Sequence, residues 1–208
     1  MSTVTAWSGT LPAPDRAEIL RYMGARGEDA QLSALIDECL SLCESVIECR
    51  VCSLEAELYV DGSDIRIGTL SVQSRALAKA LSGCERVLLF TATVGHALDR
   101  QIARESRLRP ARALCLQAIG AERIEAVCNA FCRDRAQLYA RQGYALRPRF
   151  SPGYGDLPLS VQTDMLRLLD CQRTIGVTLT ESLMMSPSKS VSAIVGIYKD
   201  PKLKEVSK

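Results

Sequence analysis

The chain has 208 residues, of which 47% are hydrophobic and 24% charged, values typical of one globular domain rather than a disordered or fibrous chain. Its formal net charge of +2 gives no field that indicates a nucleic acid or an anionic lipid surface as partner. The longest apolar runs are far shorter than a bilayer span, and the first 15 residues lack the pattern of a secretory signal, so we expect a cytoplasmic protein without a membrane segment.

Helical and extended patterns alternate in the first half of the chain. Between 28 and 48, apolar residues recur three and four positions apart, which predicts a helix with one buried face. Residues 54–60 alternate between apolar and polar, as a half-buried strand does. In chain order, this half predicts helices at 16–22 and 28–48, a hairpin of strands 54–60 and 65–70 with a turn at 61–64, a helix at 74–81 and a strand at 86–93.

The second half begins with a long helical pattern that Pro110 opens and Gly143 ends. Its predicted elements are helices at 95–107 and 110–141, a loop at 147–156, a helix at 161–173 and strands at 177–181 and 191–198. The strands and helices do not alternate as in a doubly wound parallel sheet. We therefore predict an α+β fold, a single domain with a mixed or antiparallel twisted sheet and several helices. It should span 1–198, with a lysine-rich tail at 199–208.

Nine cysteines without a signal peptide predict reduced thiols rather than a disulfide framework. The pairs Cys39 with Cys43 and Cys128 with Cys132 are each four residues apart, so each pair shares one helix face and suits a core. The CxxC at 49–52 lacks two further ligands at comparable spacing, and His96 is the only histidine. We expect no metal site and no histidine triad.

The loop from Arg149 to Tyr154, RFSPGY, is the most informative segment. Pro152 and Gly153 favour a type II turn, because proline presets the first φ and glycine accepts a positive second φ. Arginine offers a planar fork for a carboxylate, so such a loop could hold a zwitterionic ligand. On these residues alone, a purely structural turn remains an alternative. No GxGxxG or GxxxxGK[ST] motif is present to indicate a nucleotide fold.

Several motifs in one order resemble the activation domain of cobalamin-dependent methionine synthase. The similarity extends from 144 to 197 and decreases toward the N-terminus, where 18–24 and 91–95 resemble short, free-standing relatives of that domain. The matching segments are the RFSPGY loop, LLD at 168–170, TLTES at 178–182, Met185, Pro187 and SVS at 190–192.

This resemblance implies a protein that binds S-adenosylmethionine and presents its methyl group to an oxidised corrinoid for reductive methylation of cob(II)alamin. The cobalamin would be carried by the cobalamin-binding module of a separate methionine synthase, and the electron would come from a donor such as flavodoxin or ferredoxin. Catalysis would consist of positioning and exclusion of water, without a catalytic side chain. The chain would be an accessory component of a methyltransferase in methionine biosynthesis, with no complete activity alone.

The resemblance also assigns residues. Arg149 would bind the ligand carboxylate, the backbone at Ser151 and Gly153 and the ring of Tyr154 would line the ligand, and Glu125 would take the ammonium group. For the ammonium, Glu122 and Asp156 remain rivals, and a carboxylate that only solvates the helix is a further alternative. Glu181 is expected to be a strand residue and the methionines at 184 and 185 to pack.

Three other functions remain open. The partner could belong to a different corrinoid methyltransferase system, or the chain could be a non-catalytic structural subunit of methionine synthase. An independent small-molecule methyltransferase is disfavoured, because the glycine-rich motif of that class is absent.

Overall fold

The computed structural model describes residues 4–203. It consists of one large antiparallel sheet, a small hairpin and helices on both faces of the large sheet. The helices are α1 (Arg16–Met23), α2 (Ala30–Val46), α3 (Arg75–Ala80), α4 (His96–Leu108), α5 (Pro110–Ala140), α6 (Val161–Leu168) and α7 (Cys171–Ile175). The strands are β1 (Thr5–Trp7), β2 (Arg50–Asp61), β3 (Asp64–Ile67), β4 (Leu70–Gln73), β5 (Arg86–Thr93), β6 (Tyr144–Leu146), β7 (Thr178–Leu179), β8 (Met185–Ser186) and β9 (Ser190–Lys199).

The large sheet has seven strands in the order β4-β3-β2-β5-β9-β6, with β1 also paired to β2. Each described pair is antiparallel. The most apolar strand, β5, lies between β2 and β9 and is buried on both faces, which explains its continuous apolar run. The predicted α+β class with an antiparallel sheet is confirmed.

The two faces of the sheet carry separate cores. Leu88 and Phe90 of β5 point into the first core, where helices α1, α2, α4 and α5 pack. Val87 and Leu89 point into the second core, under α3, α6 and α7. In the first core the rings of Phe90 and Phe131 lie 4.9 Å apart between centroids. The alternation of the β5 side chains between the two cores is the period of two expected for a strand.

Two predicted elements are wrong because a left-handed residue interrupts each. The strand predicted at 65–70 is divided at Gly68, where φ is +56°, into β3 and β4. The helix predicted at 161–173 breaks at Asp170, where φ is +46°, into α6 and α7. Aspartate tolerates this conformation better than most residues, so periodicity alone did not indicate the break.

The short edge strands β1 and β6 were not predicted, and the strand expected at 177–181 is only the first arm of the β7–β8 hairpin. Lys199, the first residue of the predicted tail, is the last residue of β9. Residues 204–208 of that tail lie outside the described residues. Within 4–203, no helix is long and apolar enough to cross a bilayer.

All nine cysteines are free thiols, as predicted. Burial raises the pKa of the Cys43 and Cys128 thiols to about 12, so both stay protonated and unreactive at neutral pH. Cys49 packs against the first core whereas Cys52 belongs to the second, so the CxxC sulfurs face opposite sides of the sheet. Residues 4–203 contain no group of three or more potential metal ligands.

Candidate functional site

A cleft of about 430 Å³ lies where the RFSPGY loop meets α5, the start of α6 and the start of β9. Its volume falls in the range of small-molecule sites. The lining combines charged, hydroxyl, amide and apolar side chains: Glu125, Arg149, Phe150, Ser151, Pro152, Tyr154, Gln162, Met185, Ser190, Val191 and Ser192.

The loop reaches the cleft as an extension of the sheet edge. After β6, the Arg147 amide donates to the Gly196 carbonyl at 2.8 Å, and Phe150 and Ile194 exchange two backbone hydrogen bonds of 2.9 and 2.8 Å. Phe150 packs against the second core, while its neighbour Arg149 reaches α5 on the opposite face. Because neighbouring extended residues point to opposite faces, anchoring Phe150 directs Arg149 toward α5.

The predicted type II turn is present. The Tyr154 amide donates to the Ser151 carbonyl at 3.2 Å, and Gly153 has φ +91°. The Gly153 amide donates to the Leu157 carbonyl at 2.9 Å, so this donor is used within the loop. Since Gly153 is not among the lining residues, the turn presents its flanking residues to the cleft.

Asp156 fixes the far end of the loop rather than facing the cleft. Its carboxylate accepts hydrogen bonds from the Ser74 hydroxyl and from the backbone amides of Arg75 and Ala76, at 2.8 and 3.1 Å for the amides. These bonds, that from Ser74 above all, lower the pKa of the Asp156 carboxyl. The loop is thereby tied to the N-terminus of α3.

Arg149 and Glu125 form an ion pair inside the cleft. Arg149 Nη2 donates to Glu125 Oε2 at 2.8 Å and to Asn129 Oδ1 at 3.0 Å. Burial is the largest single effect and lowers the pKa of the Arg149 guanidinium, but the hydrogen bond to Glu125 and the charge interactions with Glu125, Cys128 and Cys132 together outweigh it, and the pKa is raised. Among the described residues, Arg149 Nη1 and Nε and Glu125 Oε1 make no hydrogen bond. A cationic donor and an anionic oxygen therefore remain available on the two members of the pair.

Glu122, the second rival for the ammonium role, belongs to a different region. It is buried against Arg123, and its Oε1 accepts the Asp15 amide at 3.2 Å. Arg123 in turn donates to the carbonyls of Pro12 and Ala13. These contacts tie the segment before α1 to α5, and they leave Glu125 as the carboxylate that lines the cleft.

The remaining lining residues around Gln162 were not predicted to contact a ligand. Gln162, 4% exposed, accepts a hydrogen bond from the Ser192 hydroxyl at 3.2 Å and donates to the Leu183 carbonyl at 2.9 Å. The Ser190 hydroxyl lies 2.8 Å from the Pro187 carbonyl. Met185 and SVS at 190–192 belong to the matching motifs. The sequence around Gln162 does not indicate a role for it, because the helical pattern identifies only its buried neighbour Val161.

Four of the five predicted site residues, Glu125, Arg149, Ser151 and Tyr154, line the cleft, and Gly153 lies in its turn. Tyr154 is 68% exposed, so its ring forms part of the rim. His96 lies outside the cleft lining and begins α4, where Nε2 is 3.1 Å from the Gly176 carbonyl.

Comparisons with known proteins point in one direction. Residues 133–208 match the family described as vitamin B12 dependent methionine synthase, activation domain. A crystal structure of the MetH reactivation domain bound to AdoHcy superposes with a TM-score of 0.71 at 16% sequence identity, covering 99% of this chain and 80% of that one. No curated protein matches the sequence at a significant level. The chain thus has the fold of a methionine synthase reactivation domain, and its C-terminal part, 133–208, is similar to the activation-domain family of vitamin B12-dependent methionine synthase.

Proposed function

We propose that this protein binds S-adenosylmethionine in the Arg149 cleft and presents its methyl group to the oxidised corrinoid of a cobalamin-dependent methionine synthase. One observation carries the proposal: Arg149 and Glu125 place opposite charges 2.8 Å apart at the wall of a cleft of about 430 Å³. An amino-acid end group offers the complementary pair, a carboxylate and an ammonium. The site is half-buried, which strengthens both interactions relative to bulk water.

The unused hydrogen-bonding atoms define how the methionyl end would bind. Arg149 Nη1 would donate to the carboxylate, and Glu125 Oε1 would accept from the ammonium. The exposed ring of Tyr154 at the rim suits a sulfonium, since aromatic faces attract cations. The Ser151 backbone would complete the wall beside the turn. Each role agrees with the sequence resemblance.

The related fold supports the ligand class. The MetH reactivation domain was crystallised with AdoHcy, which is S-adenosylmethionine without its transferred methyl group. A site that holds both molecules must recognise their shared amino-acid and adenosyl ends. In this chain, the Arg149–Glu125 pair would meet the first of these requirements.

The reaction needs two further components. An external donor, such as a flavodoxin or ferredoxin, would supply one electron, and the partner's reduced corrinoid would supply the nucleophile for the methyl group, so that the sulfonium would be released as the neutral thioether S-adenosylhomocysteine. The residues of this chain hold the sulfonium, orient it and exclude water from it. No proton transfer is required, in agreement with a cleft lining in which Glu125, the one carboxylate among the described residues, is paired to arginine.

A methyl-transfer assay tests the proposal. S-adenosylmethionine labelled on the methyl carbon is mixed with a methionine synthase in the cob(II)alamin state, a chemical reductant and this protein. We expect label on the cobalamin only when this protein is present, and loss of that dependence with Arg149→Gln. Labelling of a different corrinoid protein alone would reassign the partner. Binding of the synthase without methyl transfer would contradict the proposal and favour a structural subunit.

A further inference from the structure

The β7–β8 hairpin borders the cleft beside Gln162. Met185 of β8 lines the cleft, and its neighbour Met184, 63% exposed, lies at the hairpin tip. We define the tip as residues 180–184. The stems are held by packing of Leu179 and Met185 on the second core. The tip itself contributes none of the buried core residues.

Internal hydrogen bonds give the tip its shape but do not attach it to the domain. The Thr180 amide donates to the Met184 carbonyl at 2.9 Å, and Thr180 Oγ1 accepts the Met184 amide at 3.1 Å. The Leu183 amide donates to the Thr180 carbonyl at 2.9 Å. All these partners belong to the tip, so its orientation relative to the domain needs a contact from elsewhere.

Among the described residues, one hydrogen bond joins the tip to the rest of the protein. Gln162 Nε2 donates to the Leu183 carbonyl at 2.9 Å. Leu183 has φ +62°, a conformation that leucine rarely adopts and that surrounding contacts must maintain. The other end of the same amide accepts from Ser192, which is 2% exposed on β9. The amide thus connects the sheet, α6 and the tip at the wall of the cleft.

We infer that Gln162 is a positioning residue: its amide holds the hairpin tip, and through it the adjacent Met185 that lines the cleft, so that Met185 helps to enclose a ligand bound to Arg149. The inference rests on the proposed function for the identity of the ligand, S-adenosylmethionine. The tether, by which we mean the hydrogen bond from Gln162 to the tip, is independent of that function. An apolar side chain of equal length at 162 would preserve packing and remove both hydrogen bonds.

The first test measures amide hydrogen exchange of the peptide covering 180–184 in the protein without ligand. In Gln162→Met, loss of the single tether should accelerate exchange of the tip about 10-fold while the core strands stay protected. The matched control is Gln172→Met, the same change at an exposed position of α7 that makes no described hydrogen bond. Unchanged exchange in the folded Gln162→Met protein would overturn the tether.

The second test asks whether the tether matters to the ligand. Calorimetric titration with S-adenosylmethionine should give a Kd about 5- to 10-fold higher for Gln162→Met than for wild type or Gln172→Met. A loosened tip with unchanged affinity would overturn the role in enclosing the ligand. If wild type itself fails to bind S-adenosylmethionine, the proposed function fails, whereas the exchange experiment still decides the tether.

A third variant remains informative if Gln162→Met fails to fold. Gln162→Glu keeps the shape, and its buried carboxyl can donate to Leu183 only while protonated. After correction for intrinsic exchange rates, tip protection in Gln162→Glu should rise as the pH falls, and wild type should show no such trend. A purely packing role for residue 162 predicts no pH dependence, and that result would contradict the inference.

Discussion

At the residue scale, the candidate site depends on two opposite charges that share a wall of the cleft. Arg149 is 25% exposed and Glu125 is 43% exposed, so solvent screens their mutual attraction and the pair contributes little to stability. Each residue also keeps unused hydrogen-bonding atoms. The proposed recognition of a zwitterion would account for two opposite charges in the lining of one cleft.

Glu125→Gln removes the acceptor proposed for the ligand ammonium while preserving the shape of the side chain. We expect the Kd for S-adenosylmethionine to rise about 10- to 100-fold, since hydrogen bonds to charged groups contribute about 1.5–3 kcal/mol. Affinity for 5′-methylthioadenosine, which lacks the amino-acid end, should not change. Calorimetric titration with both ligands measures this. Equal losses for the two ligands would show that Glu125 acts on the whole cleft instead.

The sequence predicted the site residues of the RFSPGY loop better than Gln162 and Asn129. Arg149 and Tyr154 flank a Pro-Gly turn whose geometry is encoded locally, and residue-type chemistry indicates a carboxylate site there. Gln162 is 30 residues from Ser192 and 21 from Leu183, so its two partners become neighbours only in the folded chain. Asn129 likewise faces Arg149 only because α5 packs against the sheet edge. Long-range pairing of this kind leaves no local pattern.

At the element scale, the loop between β6 and α6 is held by its backbone conformation and by a cap. Gly153 takes a positive φ that other residues adopt only with strain, and Asp156 accepts the first amides of α3. These two features fix both ends of the segment that carries Tyr154. Substitution of Gly153 or Asp156 should therefore disturb this loop more than the sheet.

Gly153→Ala should lower the free energy of unfolding by about 1–3 kcal/mol, because alanine at φ +91° is strained. Gly27→Ala is the matched control: no atom lies within 4 Å of the added methyl group and its φ is not positive. Urea denaturation monitored by circular dichroism measures both. Equal stability of the two variants would contradict the turn geometry.

The Asp156 cap predicts a defined pH dependence. Its pKa is lowered from the ordinary 3.8 in the folded state, so the folded state binds the proton less readily than the unfolded state. The stabilisation is therefore complete above pH 3.8 and is lost as the pH falls through the lower folded-state pKa. Asp156→Asn should be less stable than wild type at pH 7, and the difference should vanish in acid. A difference that persists unchanged to pH 2 would refute this account.

The sequence predicted whether a segment is a helix or a strand more reliably than it predicted where such a segment is interrupted. Helix α5 and strand β5 agree with their patterns because the periodicity is long and the ends carry a proline, a glycine or a charge. Gly68 and Asp170 divide predicted elements, since one backbone angle decides the outcome while the apolar pattern continues. Strands β1 and β6, three residues each, are too short for any period to be visible.

At the scale of the whole molecule, α5 connects the core to the cleft. Phe131 packs against Phe90 of the sheet and against Trp7 of β1, at centroid distances of 4.9 and 6.0 Å. Glu125 lies less than two helical turns before Phe131 on the same helix. The rigidity of the first core therefore supports the position of the carboxylate in the cleft.

Phe131→Ala should destabilise the protein by about 3–5 kcal/mol, the cost of a large cavity in a packed core. Leu138→Ala, at a 43% exposed position of the same helix, should change stability by less than about 0.5 kcal/mol. Denaturant titration of both variants gives the comparison. A small effect at Phe131 would mean that the packing between α5 and the sheet does not stabilise the fold as described.

The central claim is that Arg149 makes this fold a binding site for S-adenosylmethionine, and calorimetric titration of the whole chain tests it most directly. The comparison pairs wild type with Arg149→Gln and, as a control, with Arg167→Gln, whose side chain is 75% exposed on α6 outside the cleft lining. We predict saturable 1:1 binding by wild type and Arg167→Gln, and at least about a 100-fold loss with Arg149→Gln. Equal binding by all three proteins, or binding by none, would contradict the account.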